Sequence, residues 1–88
     1  MNNKELEKIF KAIASENRIL ILKCLHKSKE LSVGDLAETI NLAFRSVSKD
    51  LAILRNADLV HYRNFNLTRR YSINTQNFPK ELINFLEH

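Results

Sequence analysis

Several polar and basic side chains lie at the start of a predicted helix in the middle of the chain. Val47, Leu51 and Leu54 recur at i, i+4 and i+7, which is the spacing of one helix face. The remaining surface of the first two turns carries five further side chains: Phe44, Arg45, Ser46, Ser48 and Lys49. Arginine, lysine and serine can donate hydrogen bonds to base edges and to phosphate oxygens. A helix of this kind can pack on the protein by one face and read DNA with the other.

Positive charge is concentrated in the same part of the chain. The 88-residue sequence has a formal net charge of +4 at pH 7. Residues 45–70 contain six basic and two acidic side chains, whereas residues 1–44 are almost balanced and residues 71–88 are slightly acidic. Such a patch attracts polyanions and supplies the sequence-independent part of DNA affinity. An acidic protein could bind the same patch. A membrane surface is disfavoured because no helix is both basic and rich in large apolar residues.

A second short helix is predicted immediately before the first. Ser32 and Asp35 have the spacing of a capping box, and the residues that follow place their apolar side chains on one stripe. Asn41 can end this helix because Asn tolerates the left-handed backbone conformation. Two amphipathic helices joined by about four residues match a helix-turn-helix, whose second helix enters the major groove. An ordinary helical hairpin would share this pattern.

After Asp58 the periodicity changes from helical to alternating. Residues 59–63 and 69–73 are compatible with β-strands, and residues 64–68 can turn between them. A hairpin directly behind a helix-turn-helix is typical of a winged helix, in which it contacts DNA beside the second helix. Four polar or basic residues lie where such contacts would need them: Arg63, Asn66, Arg69 and Arg70. Charged strand ends also occur on solvated hairpins that bind nothing.

The other elements complete one small domain. Residues 4–14 form an amphipathic helix in the prediction, and residues 16–27 form a second helix that is apolar nearly all round and belongs in the centre. Residues 29–31 can add a short strand to the hairpin, and Pro79 suits the first turn of a last helix. The predicted fold is mainly α with a small β-hairpin, a winged helix-turn-helix in the order α-α-β-α-α-β-β-α. We expect it to occupy residues 1–88 as a single domain.

The first and last helices carry apolar side chains beyond what the central helix and hairpin need for a core. A chain this short often gains stability by self-association. We therefore predict a homodimer whose interface includes six residues: Leu6, Ile9, Phe10, Phe78, Leu82 and Phe85. Packing of these side chains onto their own domain is an equally open alternative.

Other function classes lack support in the sequence. There is no nucleophile with a neighbouring base, no carboxylate pair and no phosphate-binding Gly-rich loop, so we expect neither an enzyme nor a cofactor. The only cysteine, Cys24, lies in the apolar second helix and is predicted to be a small buried hydrophobe. A polar N-terminus and the lack of a membrane-length apolar run favour a cytoplasmic protein. Residues 86–88 look like the start of a vector-encoded tail, so His88 is excluded from any site.

From Phe10 to Ile73, the order of elements and several local strings resemble the ArsR-type winged-helix repressors of bacteria and archaea. Residues 10–22 are similar to the opening pattern of that family, residues 30–37 to its next signature, and residues 47–60 to its DNA-reading helix and exit. The resemblance implies a homodimer, joined by the first and last helices, that binds a short inverted repeat in an operator.

The metal sites of that family are not matched. Its thiol-based sensors carry two cysteines in the third helix, where this chain has Ser32 and Gly34, and soft metals need a thiolate. Its second site uses Asp, His and Glu side chains on the last helix, where residues 78–85 offer only Glu81. His26 and His61 have no second ligand at helical spacing. We therefore expect no metal.

Two residues of the reading helix also depart from the family pattern. Phe44 and Asp50 stand where polar, basic or His residues are more usual in the family. Phe44 could stack on a sugar or contact a thymine methyl, and Asp50 could accept from cytosine or repel phosphate. The sequence thus predicts a sequence-specific, double-stranded-DNA-binding transcriptional regulator, a dimeric repressor without the metal site. The alternative is a winged helix that docks an acidic protein through its basic face.

Overall fold

Five helices and three strands follow one another in the predicted order. The computed structural model describes residues 1–88. The helices are α1 (Asn3–Ile13), α2 (Glu16–Ser28), α3 (Val33–Ile40), α4 (Phe44–Asn56) and α5 (Lys80–Leu86). The strands are β1 (Leu31–Ser32), β2 (Val60–Phe65) and β3 (Thr68–Ile73). The predicted fold class, mainly helical with a small antiparallel sheet, is confirmed.

Side-chain caps define where the helices before α4 begin and end. The Ser15 Oγ accepts a hydrogen bond from the Arg18 backbone N–H at 3.4 Å, and the Ser32 Oγ accepts one from the Asp35 N–H at 3.1 Å. Asn41 ends α3 in the left-handed conformation, with φ 56° and ψ 50°. These contacts satisfy backbone groups that a helix end leaves without partners. The short, capped α3 and the tight exit at Asn41 fix how α4 begins.

The sheet has the order β1-β3-β2, and both pairs are antiparallel. β1 pairs with β3 through Leu31 and Tyr71, so the strand predicted at residues 29–31 exists but begins later, after Lys29 has ended α2 at φ 73°. β2 and β3 extend to Phe65 and Thr68. The loop of the hairpin is therefore two residues long, shorter than the predicted turn, and Asn66 adopts φ 56° within it.

The core is a single cluster of 15 buried apolar residues with no buried polar residue. α2 contributes Ile21, Leu22 and Leu25, as its expected central position requires. The expectation that α2, apolar nearly all round, lies in the centre holds for its inner face only, because Ile19 and Leu20 are exposed. Ile19 also lines an apolar cavity together with Leu82 and Phe85 of α5.

The six residues predicted for a dimer interface differ in exposure. Ile9 and Phe78 are buried within the protomer, so for these two the alternative of packing onto their own domain is correct. The physical reason for Ile9 is that α1 packs against both α2 and α4. Phe10 and Phe85 are 56% and 66% exposed, and Leu6 and Leu82 are half-buried. A free apolar surface therefore remains on α1 and α5.

The C-terminus contributes to the fold. Pro79 occupies the N-cap position of α5, and Leu86, at the end of that helix, belongs to the buried core. The Glu87 Oε1 lies 3.5 Å from the His26 Nε2. Considered together, the five helices include no segment with the length and apolar character needed to span a lipid bilayer.

Candidate nucleic-acid interface

The first two turns of α4 present one buried face and one exposed face. Val47, Leu51 and Leu54 are completely buried. The four polar side chains predicted to face DNA are all exposed: Arg45, Ser46, Ser48 and Lys49. The helix thus has the geometry that its apolar spacing predicts, and it offers two cations and two hydroxyl groups on one surface.

A hydrogen-bonded ion pair holds α4 against the N-terminal helices. The Arg18 Nη1 donates to the Asp50 Oδ1 at 3.1 Å, and the Arg18 Nε donates to the Ala12 carbonyl oxygen at 2.6 Å. The two charged side chains are only 17% and 13% exposed. One guanidinium group therefore links the end of α1, the start of α2 and the middle of α4. Both DNA roles considered for Asp50 are disfavoured, because its carboxylate faces into the protein.

Arg63 of β2 is paired rather than free. Its Nε and Nη2 donate to the two carboxylate oxygens of Glu30 at 2.7 and 2.8 Å. These hydrogen bonds lower the pKa of Glu30 and keep its carboxylate charged. The ion pair therefore stabilises the folded protein fully at pH values above the ordinary pKa of Glu. This stabilisation is lost as the pH falls through the lowered pKa of Glu30. This pairing weakens the prediction that Arg63 contacts phosphate.

Two aromatic rings organise the arginines of the hairpin. The guanidinium carbons of Arg63 and Arg70 lie 5.1 and 4.7 Å from the centre of the Phe65 ring. Arg69 lies 4.3 Å from the Tyr62 ring. Arg55, which comes from α4, lies 5.4 Å from the same ring. Each such contact contributes about 0.5–1 kcal/mol at an exposed site. The rings therefore restrict where these cations can point.

Tyr62 and Phe65 were not singled out from the sequence. The antiparallel register places Arg63 opposite Arg70 on one face and Asn64 opposite Arg69 on the other. Because strand side chains alternate between faces, Phe65 joins the first pair and Tyr62 lies on the face of the second. Aromatic residues spaced among arginines of a hairpin could have indicated this arrangement, but only with the register known.

The start of α4 and the hairpin line one open groove of about 400 Å³. We call it the wing groove, and its lining includes Phe44 and Ser48 of α4 together with Leu67 and Arg69 of the hairpin. Leu67 is fully exposed at the hairpin tip, next to Asn66. The N-terminus of α3 forms a further wall. Of the residues predicted to contact DNA, Phe44, Ser48 and Arg69 line this groove.

The side chains of α3 and α5 do not fit the metal sites that the resemblance implies. Ser32 uses its hydroxyl as a helix cap, and Gly34 has no side chain to coordinate a metal. No three His, Cys, Asp or Glu side chains come together as a possible metal site. Cys24 is half-buried, and burial raises the pKa of its thiol, so the protonated form dominates at neutral pH.

The sequence pattern of the family described as bacterial regulatory protein, arsR family, matches residues 15–62. This match spans α2, α3, α4 and the start of β2, which is more than half of the chain. The protein belongs to the ArsR family. It is accordingly a winged helix-turn-helix transcriptional regulator that binds DNA, and not an enzyme.

Relatives of this ArsR-family protein include three bacterial regulators. The uncharacterized HTH-type regulator YceK of Bacillus subtilis is 36% identical over 80 residues, covering 90% of this chain and 80% of YceK. The transcriptional activator HlyU of Vibrio cholerae is 37% identical over 82 residues, covering 85% of this chain and 75% of HlyU. The transcriptional repressor SdpR of Bacillus subtilis is 34% identical over 89 residues, covering 98% and 92% of the two chains.

A solved structure supports the same assignment. The structure of reduced HlyU from Vibrio cholerae superposes with a TM-score of 0.79 at 32% identity, covering 98% of this chain and 85% of that one. The likeness therefore extends over α1 and α5 as well as over the helix-turn-helix.

Breaking the ion pair on α4 should destabilise the protein. Asp50→Asn leaves the Arg18 charge without its carboxylate in a largely buried position, so we expect the free energy of unfolding to fall by roughly 1–3 kcal/mol. Glu38→Gln, which removes a negative charge from an exposed position of α3, is the control and should change it little. Urea denaturation measures both. Equal stability of the two variants would contradict the structural role of the pair.

Proposed function

We propose that the protein binds a specific inverted-repeat operator as a homodimer and represses transcription in the cytoplasm, without a metal cofactor. The observation that carries the proposal is that α4 exposes Arg45, Ser46, Ser48 and Lys49, and that the first turns of this helix line the wing groove together with Arg69 of the hairpin. The α4 residues are free of other partners, and their helix is locked by apolar packing and by the ion pair of Arg18 and Asp50. A rigid helix with a free polar face is suited to base recognition.

Base reading and backbone binding are divided between the two elements. Arg45 and Ser46 lie in the first turn of α4, the part of a helix-turn-helix that reaches base edges. Arg69 and Arg70 lie in β3 within three residues of the hairpin tip, where cations held against aromatic rings suit phosphates of the flanking backbone. Arg63 contributes less in this scheme because Glu30 balances its charge.

A second copy is proposed to cover the apolar face formed by α1, α2 and α5. Phe10, Phe85, Ile19 and Leu20 are exposed on these helices. A wholly apolar cavity of about 250 Å³ lies beside them, between α2 and α5. Covering this surface removes apolar area from water, which is the main driving force for association. A two-fold dimer would carry two copies of α4, and this matches an operator with two inverted half-sites.

Repression is the direction of regulation that we propose. HlyU is named an activator and SdpR a repressor, so the relatives differ in direction. The SdpR alignment spans nearly all of both chains. Repression by occupying a promoter requires only DNA binding and dimerisation, for which the wing groove and the apolar face are the proposed surfaces.

The absence of a metal cofactor rests on donor chemistry. Ser32 and Gly34 cannot supply the thiolates that soft metals need. Adding near-stoichiometric Zn²⁺, Cd²⁺ or Cu⁺ should leave DNA affinity unchanged, and a tight one-to-one complex of the tag-free protein would contradict this.

The direct test is a footprint on the DNA upstream of the gene that encodes the protein. The expected result is one protected inverted repeat, bound more weakly as salt is raised. If the protein binds no duplex DNA at any salt concentration, an acidic protein is favoured as the partner of the basic face.

Replacing Arg45 should weaken binding in a sequence-dependent way. Arg45→Ala should cost roughly 1–3 kcal/mol on the operator and relax the preference at one base pair per half-site. Titrations against operator and scrambled duplexes measure this difference. An equal loss on both DNAs would show that Arg45 contacts the backbone instead.

Replacing Arg69 or Arg70 should weaken binding to operator and scrambled DNA alike. Each lost phosphate contact should reduce the slope of log K against log salt by about 0.9 per subunit. Lys4→Ala removes the same charge from α1, outside residues 45–70, and serves as the control with an unchanged slope. Loss of discrimination between the two DNAs in the Arg69 or Arg70 variants would contradict the assignment.

Truncating Phe85 should weaken the dimer. Phe85→Ala removes an exposed aromatic side chain of the kind that anchors interfaces, with an expected loss of roughly 2 kcal/mol or more in dimerisation free energy. Sedimentation equilibrium over a range of concentrations measures it. Leu67→Ala, at the hairpin tip, is the matched control and should dimerise normally. A folded wild-type monomer at micromolar concentration would refute the proposed dimer.

A further inference from the structure

One aromatic side chain of the DNA-facing surface has no role in the packing or charge arrangement described above. Phe44 is the first residue of α4 and is 61% exposed. It takes part in none of the four contacts between an arginine and a ring. Its position at the start of a helix is not explained by capping, since α4 has no side-chain cap. The phenyl ring is therefore free to contact an apolar group of a bound ligand.

The location of Phe44 limits what that group can be. In a helix-turn-helix the N-terminal residues of the second helix reach base edges in the major groove. Thymine alone among the four bases presents an apolar group there, the C5 methyl. A phenyl ring has no hydrogen-bond donor or acceptor for the polar edges of the other bases. The ring also lines the wing groove with Ser48, one helical turn later, so it lies beside polar side chains that face the same opening.

We propose that Phe44 selects thymine at one position of each half-site by packing against its C5 methyl group. This inference rests on the proposed function, because it requires α4 to enter the major groove of an operator. Arg45 and Ser46, which follow Phe44 directly, supply hydrogen bonds to neighbouring base edges. The operator is therefore expected to contain a thymine at a fixed position beside the base pair that Arg45 reads.

Packing of the ring on a deoxyribose is the competing contact, and it makes a different prediction. A sugar is present at every nucleotide, so such a contact would strengthen binding to all duplexes by a similar factor. A methyl contact strengthens binding only where thymine stands. Replacing thymine by uracil removes the methyl group and leaves every hydrogen-bonding atom of the base in place, so it separates the two contacts.

The experiment uses full-length protein and a duplex that the wild type selects from a random-sequence library. Each thymine of that duplex is replaced in turn by deoxyuridine, and affinity is measured for the wild type, Phe44→Ala and Leu67→Ala. For the wild type, one replacement per half-site should weaken binding roughly threefold to tenfold, the loss expected for one buried methyl group and its close contacts. For Phe44→Ala the same replacement should have no effect.

Two controls sharpen the comparison. Leu67→Ala removes an exposed apolar side chain from the hairpin side of the same groove. Whatever its overall affinity for DNA, its ratio of affinities for the thymine and uracil duplexes should equal that of the wild type. Phe44→Leu retains an apolar side chain and should keep part of the dependence on thymine that Phe44→Ala loses. Circular dichroism melting checks that each variant is folded, which the exposure of both side chains leads us to expect.

Each outcome decides the inference. The inference is supported if replacing thymine by uracil lowers the DNA affinity of the wild type and of Phe44→Leu but not that of Phe44→Ala. It is overturned, with operator binding left intact, if the replacement lowers the affinities of the wild type and of Phe44→Ala equally, or lowers neither. Failure of the wild type to select or bind any duplex overturns both this inference and the proposed function.

Discussion

The ion pair between Arg18 and Asp50 is the directional contact that fixes α4 relative to the rest of the fold. Apolar packing of Val47, Leu51 and Leu54 buries one side of the helix, but apolar contacts tolerate small rotations and shifts. Hydrogen bonds do not, because their strength falls steeply with distance and angle. The Arg18 guanidinium joins Asp50 to the carbonyl of Ala12, and so ties α4 to the ends of two other helices. The exposed side chains of α4 depend on this register for their position.

The wing, which is the hairpin of β2 and β3, holds several positive charges close together. Arg63 and Arg70 lie directly opposite each other, an arrangement that is unfavourable by itself. Glu30 offsets one of the charges, and the Phe65 ring lies under both guanidinium groups. Because Glu30 immediately precedes β1, the segment that leads into α3 is joined to the hairpin by an ionic contact as well as by strand pairing. The proposed phosphate contacts are thereby restricted to fewer conformations before DNA arrives, which lowers the entropy lost on binding.

Local patterns were sufficient to predict the elements but not their long-range partners. The apolar spacing of α4, the Ser32 cap and the alternation after Asp58 each depend on residues close in sequence, and the structure has these elements in the predicted order. Asp50 and Arg63 pair with residues 32 and 33 positions away, which no local periodicity encodes, so their ionic partners were missed. The prediction of which apolar side chains are exposed was incomplete for a related reason. An apolar stripe indicates that a face is covered but not by what, and Ile9 and Phe78 proved to be covered by their own domain, whereas Ile19 is not.

The N-terminal part of α2 connects the two surfaces on which the proposed function depends. Arg18 points inward to Asp50 of α4, and the next residue, Ile19, lies on the exposed apolar face proposed to meet a second copy. Adjacent residues of one helix move together, because the helical hydrogen bonds keep their relative positions. The first turn of α2 therefore contributes both to the contact that positions α4 and to the exposed apolar face. In the proposed dimer, one rigid helix would join the interface between the copies to the helix that reads DNA.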